Sequence, residues 1–209
     1  MPVAPLLQCT DSAVFKPDPD EAVPSHPLLF VGNYHKQCRA LVRDVIDARL
    51  PIAIYGRRWE GVIPKEFVHG EHIPNNLVRK FYSRCGILLN DHWPNLREKG
   101  FLSNQLFDAV ACAAVVVSDD IAGMCEVFDD GITVYDGTAG DLVAKVAQIQ
   151  AQPEQYRQRA RRARARVLKA HTFTQRAAEI LRAVQSFHEE RTFGAETPSG
   201  ADAQCLPPP

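Results

Sequence analysis

The run Val115-Val116-Val117-Ser118 constrains the fold more than any other stretch of this chain. It is entered through Ala109-Val110-Ala111-Cys112-Ala113-Ala114 without a single charge, and its consecutive β-branched residues leave no polar face. A strand of that kind is buried on both sides, which requires a parallel sheet with helices covering each face. The uncharged stretch from Ala109 to Val117 is far shorter than the roughly 20 apolar residues that span a bilayer, so a membrane-crossing helix is not expected.

Other strands and helices alternate around it. Leu28 to Val31 reads as a strand ending at Gly32, followed by Cys38, Leu41, Val42, Val45 and Ile46 at helical spacing. Pro51 to Tyr55 is a second short strand closed by Gly56, and Phe67 to His69 a weak third. Pro74 suits the first turn of a helix over about 75–84, where Leu77, Val78, Phe81 and Tyr82 share one face. Ile87 to Asn90 is the next strand, and a loop over 91–102 leads to Ser103, an N-cap for a helix carrying Leu106, Phe107, Val110 and Ala111. Ile132 to Tyr135 adds a last strand, and helices follow over about 139–150, 154–169 and 174–190, the last opening on a Thr172/Gln175 capping box. The expected fold class is α/β, a Rossmann-like parallel sheet flanked by helices, over residues 28–190. A Pro-rich, partly acidic leader or linker occupies 1–27, and a polar, Gly/Pro-rich tail expected to lack order occupies 191–209.

The chain has 209 residues, 45% apolar and 23% charged, with a net charge of -1. That length suits one large domain with an adequate core, and the charge balance gives no reason to expect a nucleic-acid partner. The arginines between Arg157 and Arg166 scatter around their helix and leave a narrow stripe of Tyr156, Ala160, Ala163 and Val167 to dock, so a solvated helix is expected. Six cysteines without a C-x-x-C pair read as reduced core thiols, and with no secretory leader the expected compartment is the cytoplasm. His69 and His72 are not expected to bind metal.

Ligands of an open parallel sheet sit beyond the carboxyl ends of its strands. The turn Gly32-Asn33-Tyr34 could let the backbone approach a ligand, or could be merely structural. Arg57 and Arg58 suit a phosphate, because planar guanidinium groups make bidentate charge-assisted bonds; the alternative is a solvated pair with one arginine stacked on Trp59. In Gly100-Phe101-Leu102-Ser103-Asn104 the glycine frees a loop and the helix start offers unpaired amides to an anion. Asp108 lies among apolar residues and is either a charge at the edge of the buried face or an acceptor for ligand hydroxyls.

Taken in order, FVGNYHKQCR, YGRRWEG, FYSRCGILLNDH, GFLSNQLFDAVACAAVVVSDD, EVFDDGITVYD and KAHTFTQRA resemble the C-terminal half of group 1 glycosyltransferases of the spore-maturation-protein type, over roughly residues 9–185. The resemblance implies the donor-binding domain of a two-domain GT-B enzyme, whose partner is a nucleotide-diphosphate sugar and whose acceptor half lies on a separate N-terminal polypeptide or outside this chain. It implies no metal or other cofactor, since cations and helix-terminal amides meet the charge of the leaving diphosphate. By the same resemblance Gly32 and Asn33 line the phosphate-side turn, Arg57 or Arg58 faces the diphosphate, and Ile73 lies by the base. Asn90, Asp91 and His92 border the cleft beside Gly100 and Phe101, Ser103 and Asn104 present the helix start, and Asp108 accepts ribose hydroxyls. No residue is singled out as catalytic.

Two positions depart from the family pattern. Gln105 replaces an arginine whose charge-assisted bond is worth about 1.5–3 kcal/mol, and Ala113 replaces a glycine, costing about 1–2 kcal/mol if the chain turns left-handed there. These departures favour an alternative, a non-catalytic nucleotide-sugar-binding module or remnant.

Overall fold

The computed structural model describes residues 5–35 and 39–195, with side chains to residue 188. Six short strands form one parallel sheet: β1 (Leu28–Val31), β2 (Ile52–Tyr55), β3 (Val68–Gly70), β4 (Ile87–Asn90), β5 (Val116–Asp119) and β6 (Ile132–Tyr135), in the order β3-β2-β1-β4-β5-β6. The register aligns Leu29 with both Ala53 and Leu88, and Leu88 in turn with Val116. The chain therefore builds outward from β1 in one direction, then returns to its other side with β4. In sheets of this topology the loops that leave the two strands at the reversal, here β1 and β4, diverge and leave a crevice beyond their carboxyl ends.

Alternation along each strand sorts the core into two layers. Leu28, Phe30, Ile52, Ile54, Ile87, Leu89 and Val117 point to one face, where α1 (Ala40–Asp47) and α6 (Ala139–Ala151) bring Leu41, Val42, Val45, Leu142, Val146 and Ile149. Leu29, Ala53, Leu88 and Val116 point to the other, covered by α2 (Asn75–Arg84), α4 (Asn104–Ala111) and the end of α7 (Pro153–Ala170) through Phe81, Leu106, Phe107, Val110 and Val167. Both faces of β5 are thus buried, as its β-branched run requires.

Two short helices, α3 (Pro94–Glu98) and α5 (Met124–Phe128), occupy segments in which the sequence shows no periodicity. Helix α8 (Phe173–Ala195) belongs largely to a second compact unit that begins at Thr174. Residues 196–209 of the expected tail lie outside the described residues.

The described part of the leader, residues 5–27, has no helix or long strand, but it is tied down. Arg79 pairs with Asp18 at 2.8 Å and Lys80 with Asp20 at 2.5 Å, while Thr10 bridges to Thr172. On α7, Tyr156, Ala160, Ala163 and Val167 are all buried as the stripe predicts. Its arginines are less free than a solvated helix would leave them. Arg159 and Arg162 pair with Asp130, Arg164 Nε donates to the Ala111 carbonyl at the end of α4, and Arg166 donates to the Glu126 carbonyl in α5. Guanidinium groups at helix carbonyl ends satisfy acceptors that have no partner within the helix. Among the described cysteines, Cys9 and Cys112 are buried, Cys85 is half-buried, and Cys125 is exposed, so Cys125 is not a core thiol; Cys38 and Cys205 lie outside the described residues.

Candidate functional site at the strand reversal

The floor of the crevice is a buried polar network at the ends of β4 and β5. Asn90 donates to Ser118 Oγ at 3.0 Å, and Ser118 Oγ donates to Asp119 Oδ1 at 3.1 Å. Asp119 also accepts from the main-chain amide of His92 and lies 2.8 Å from His92 Nδ1. The Ser103 amide donates to His92 Nε2 at 3.2 Å, so Nε2 accepts and Nδ1 carries the proton toward Asp119. The network fixes the β4 loop to the first turn of α4. Asn90 and His92 are buried struts of this frame.

Arg39, just before α1, reaches the same loop from the other side. Its guanidinium pairs with Asp91, stacks 3.7 Å from the centre of the Trp93 ring and lies 5.7 Å from that of Phe30. The side chains of Arg39 and Asp91 are only 10% and 11% exposed, and Arg39 Nε is buried without a hydrogen-bond partner among the described residues. Burial pushes the Asp91 carboxyl up to about 6 against the opposing pull of Arg39, with Asp119 adding repulsion. Beside Arg39, α1 and the loop after β2 enclose a hollow of about 310 Å³ lined by Tyr34, Val42, Ile46, Trp59 and Ile63.

The turns after β1 and β2 are locked together. Asn33 Oδ1 accepts from the Arg57 amide at 2.8 Å, and the Tyr34 amide donates to the Arg57 carbonyl at 3.0 Å. Gly56 permits this contact, since a Cβ there would lie 2.0 Å from the Gly32 carbonyl oxygen. Trp59 is buried and its indole N–H donates to that same oxygen, so it does not serve as a stacking platform for Arg57 or Arg58. Both arginines are exposed and have no ion-pair partner among the described residues, and Arg58 holds a φ of 70°. A left-handed arginine costs about 1–2 kcal/mol, and strain of this kind gathers at functional sites.

At the start of α4 the Ser103 amide is taken by His92, and Ser103 Oγ reaches Asn90 Oδ1 at 3.4 Å. The amides of Asn104 and Gln105 have no partner among the described residues, as the first turn of a helix implies. Gln105 turns its side-chain amide to the Val31 carbonyl at 3.3 Å, which anchors α4 to the end of β1. Asp108 fits neither of the two expected descriptions. It is buried, accepts from Thr10 Oγ1 at 2.8 Å and from Asn104 Nδ2 at 2.7 Å, and burial pushes its carboxyl up to about 6. Gly100 turns with a φ of 64° beside Ala122, Phe101 is exposed, and Ile73 is buried in the core beyond β3.

The structure thus brings Gly32, Asn33, Arg57, Arg58, Asn90, Asp91, His92, Ser103 and Asn104 to the carboxyl edge of the sheet. Asp108 is sequestered one turn into α4, and Ile73 is part of the apolar packing behind β3. Arg39 and Trp93 do not stand out in the sequence, and the Asp119-Asp120 pair, compared with the acidic pocket of a phosphoacceptor receiver domain, is discounted there because it follows a late strand. For Arg39 the available signal was its place at the head of the helix that follows the first strand.

Comparison with known proteins bears on the fold. Among solved structures, sucrose-phosphate synthase from Thermosynechococcus elongatus superposes with a TM-score of 0.71 at 15% identity, covering 88% of this chain and 52% of that one. Anabaena HepE, solved in complex with UDP and glucose, gives 0.62 at 12% identity over 85% of this chain and 55% of its own. The C-terminal domain of a group 1 glycosyl transferase, LpcC, from Francisella tularensis gives 0.52 at 12% identity and is covered over 99% of its length by 78% of this chain. The chain thus spans about half the length of the first two and nearly all of the isolated domain. At these identities the likeness establishes the fold. No curated protein matches the chain. No described helix is long and apolar enough to cross a membrane. The sequence itself matches the family described as glycosyl transferase-like over residues 36–182, well over half its length, and the chain belongs to that family.

Proposed function

We propose that this chain is the donor-binding part of a glycosyltransferase that uses a nucleoside diphosphate sugar. The observation that carries the reading is the strand reversal between β1 and β4, bordered by the buried guanidinium of Arg39 and by the amides of Asn104 and Gln105, which have no partner among the described residues. Breaking a sugar–diphosphate bond leaves growing negative charge on the phosphates, and a fixed guanidinium and helix-terminal amides stabilise such charge in place. In this reading Gly32 and Asn33 form the turn beside the diphosphate, and Arg57 and Arg58 supply outer cations. Asn90 and His92 hold the floor, Asp91 borders the diphosphate through Arg39, and Gly100, Phe101 and Ser103 form the far wall. Ile73 backs the base, and Asp108, held by Thr10 and Asn104, steadies the first turn of α4 on the ribose side of the donor. The six ordered sequence blocks support the finer placement in the spore-maturation-protein type of group 1, with an acceptor half supplied by another polypeptide or by residues outside this chain. Free cysteines fit a cytoplasmic, reducing setting.

The test is thermal unfolding against a panel of uridine, guanosine, adenosine and thymidine diphosphates and their sugars. A ligand at a hundredfold excess over its Kd stabilises by about 2.7 kcal/mol, which raises Tm by roughly 5–10 °C for a chain of this size. Arg39→Gln and Arg58→Ala should reduce the shift. No shift with any member would overturn the reading.

One observation favours the second reading, a binding module without turnover: the first turn of α4 carries Gln105, whose amide is spent on the Val31 carbonyl, where the family pattern has a cation. Donor hydrolysis or transfer, assayed alone and with an acceptor-domain polypeptide, separates the two. Turnover in either assay would eliminate the second.

A further inference from the structure

Arg39 is at once the most buried cation bordering the crevice and one already occupied. Asp91 fills one side of its guanidinium, Trp93 covers a face at 3.7 Å, and Nε has no partner among the described residues. A phosphate drawn to this guanidinium meets a resident carboxylate. Asp91 is held there at a cost, because its surroundings are buried and the Asp119 carboxylate repels it.

We propose that Asp91 is a specificity-determining residue that competes for Arg39 and thereby selects diphosphates over monophosphates. The inference rests on the donor-site reading above. A single phosphate group offers Arg39 little that the carboxylate does not already provide, so exchanging one for the other gains little. A diphosphate brings a second anionic group, which can engage the unpartnered amides of Asn104 and Gln105 while the first displaces Asp91. Displacement needs room, and the hollow between α1 and the loop after β2 is lined in part by Arg39 and not by Asp91. Removing the carboxylate charge then removes the penalty for monophosphates more than for diphosphates.

The probes are inorganic phosphate and pyrophosphate, titrated calorimetrically into the full chain. The wild type should prefer pyrophosphate. Asp91→Asn should tighten phosphate about tenfold and pyrophosphate threefold or less, so that the preference collapses, whereas Arg39→Gln should weaken both. An unchanged ratio in a folded Asp91→Asn chain, or equal weakening of both probes, overturns the role of Asp91. Should that variant fail to fold, the wild type itself is read by NMR: pyrophosphate should shift the Arg39 Nε–H resonance, and phosphate at equal concentration should not. Equal shifts with both probes overturn the inference. The two readings fail differently. No binding of pyrophosphate by either the wild type or Asp91→Asn counts against the donor site as a whole, while binding with an unaltered preference counts against Asp91 alone.

Discussion

Ala113→Gly should stabilise this protein, although glycine is usually the destabilising member of the pair. Helix α4 ends at Ala111 with Cys112 as its cap, and Ala113 follows with a φ of 57°. The Ala113 amide donates to the Val110 carbonyl at 2.9 Å and the Ala114 amide to the Ala109 carbonyl at 3.1 Å, the bond pattern of a Schellman motif. An alanine in this left-handed position costs about 1–2 kcal/mol. Glycine relieves that strain but adds roughly 0.5–1 kcal/mol of backbone entropy to the unfolded chain. The half-buried Ala113 methyl contributes a few tenths of a kcal/mol more on the scale of about 0.8 kcal/mol per fully buried carbon. The net gain is about 0.5 kcal/mol, or a Tm higher by roughly 1–2 °C. Urea unfolding should show a raised midpoint with an unchanged slope. Ala114→Gly is the control: Ala114 is 4% exposed and has no positive φ, so that variant should lose stability. A midpoint for Ala113→Gly at or below the wild type would refute the reasoning.

Arg58→Gly should show a related gain with an opposite functional effect, stabilising by about 0.5–1 kcal/mol through its φ of 70° while weakening diphosphate binding in calorimetry. Arg164→Ala should cost about 1–3 kcal/mol in urea unfolding, because it leaves the Ala111 carbonyl without the charged donor at 2.9 Å. Asp108, raised from 3.8 to about 6, keeps in the folded chain a proton that the unfolded chain loses between those values. Its contribution to stability therefore falls as pH rises through that window and is constant above it. Relative to Asp108→Asn, the wild type should gain on the order of 2–3 kcal/mol between pH 7 and pH 4. Parallel unfolding curves for the two chains across pH would contradict this.

Much of the fold was legible because its signals are local. The β-branched run at Val116 and Val117, the apolar run from Leu28 to Val31 closed by Gly32, and the helical spacing of Leu106, Phe107 and Val110 each specify an element within a few residues. Helices α3 and α5 have five residues each, too few for a period to show. The left-handed end of α4 was also foreseeable, since Ala113 stands where the family pattern has glycine. The site was less legible, because its contacts join residues far apart in sequence. Arg39 and Asp91 are 52 positions apart and Thr10 and Asp108 are 98 apart, and only the sheet order brings their loops together. Read alone, Arg39 is one more arginine at a helix start, and Asp108 looks like a carboxylate awaiting a ligand when Thr10 already supplies its partner.

If the reversal between β1 and β4 receives the diphosphate of a sugar donor, an amide NMR titration of the chain with a nucleoside diphosphate will show where it sits. Shifts should concentrate at Gly32 to Tyr34, Asp91 to Trp93, Asn104 and Gln105, with the arginines of α7 unmoved. Shifts centred on Arg157 to Arg166, or none at saturating nucleotide, would contradict that placement.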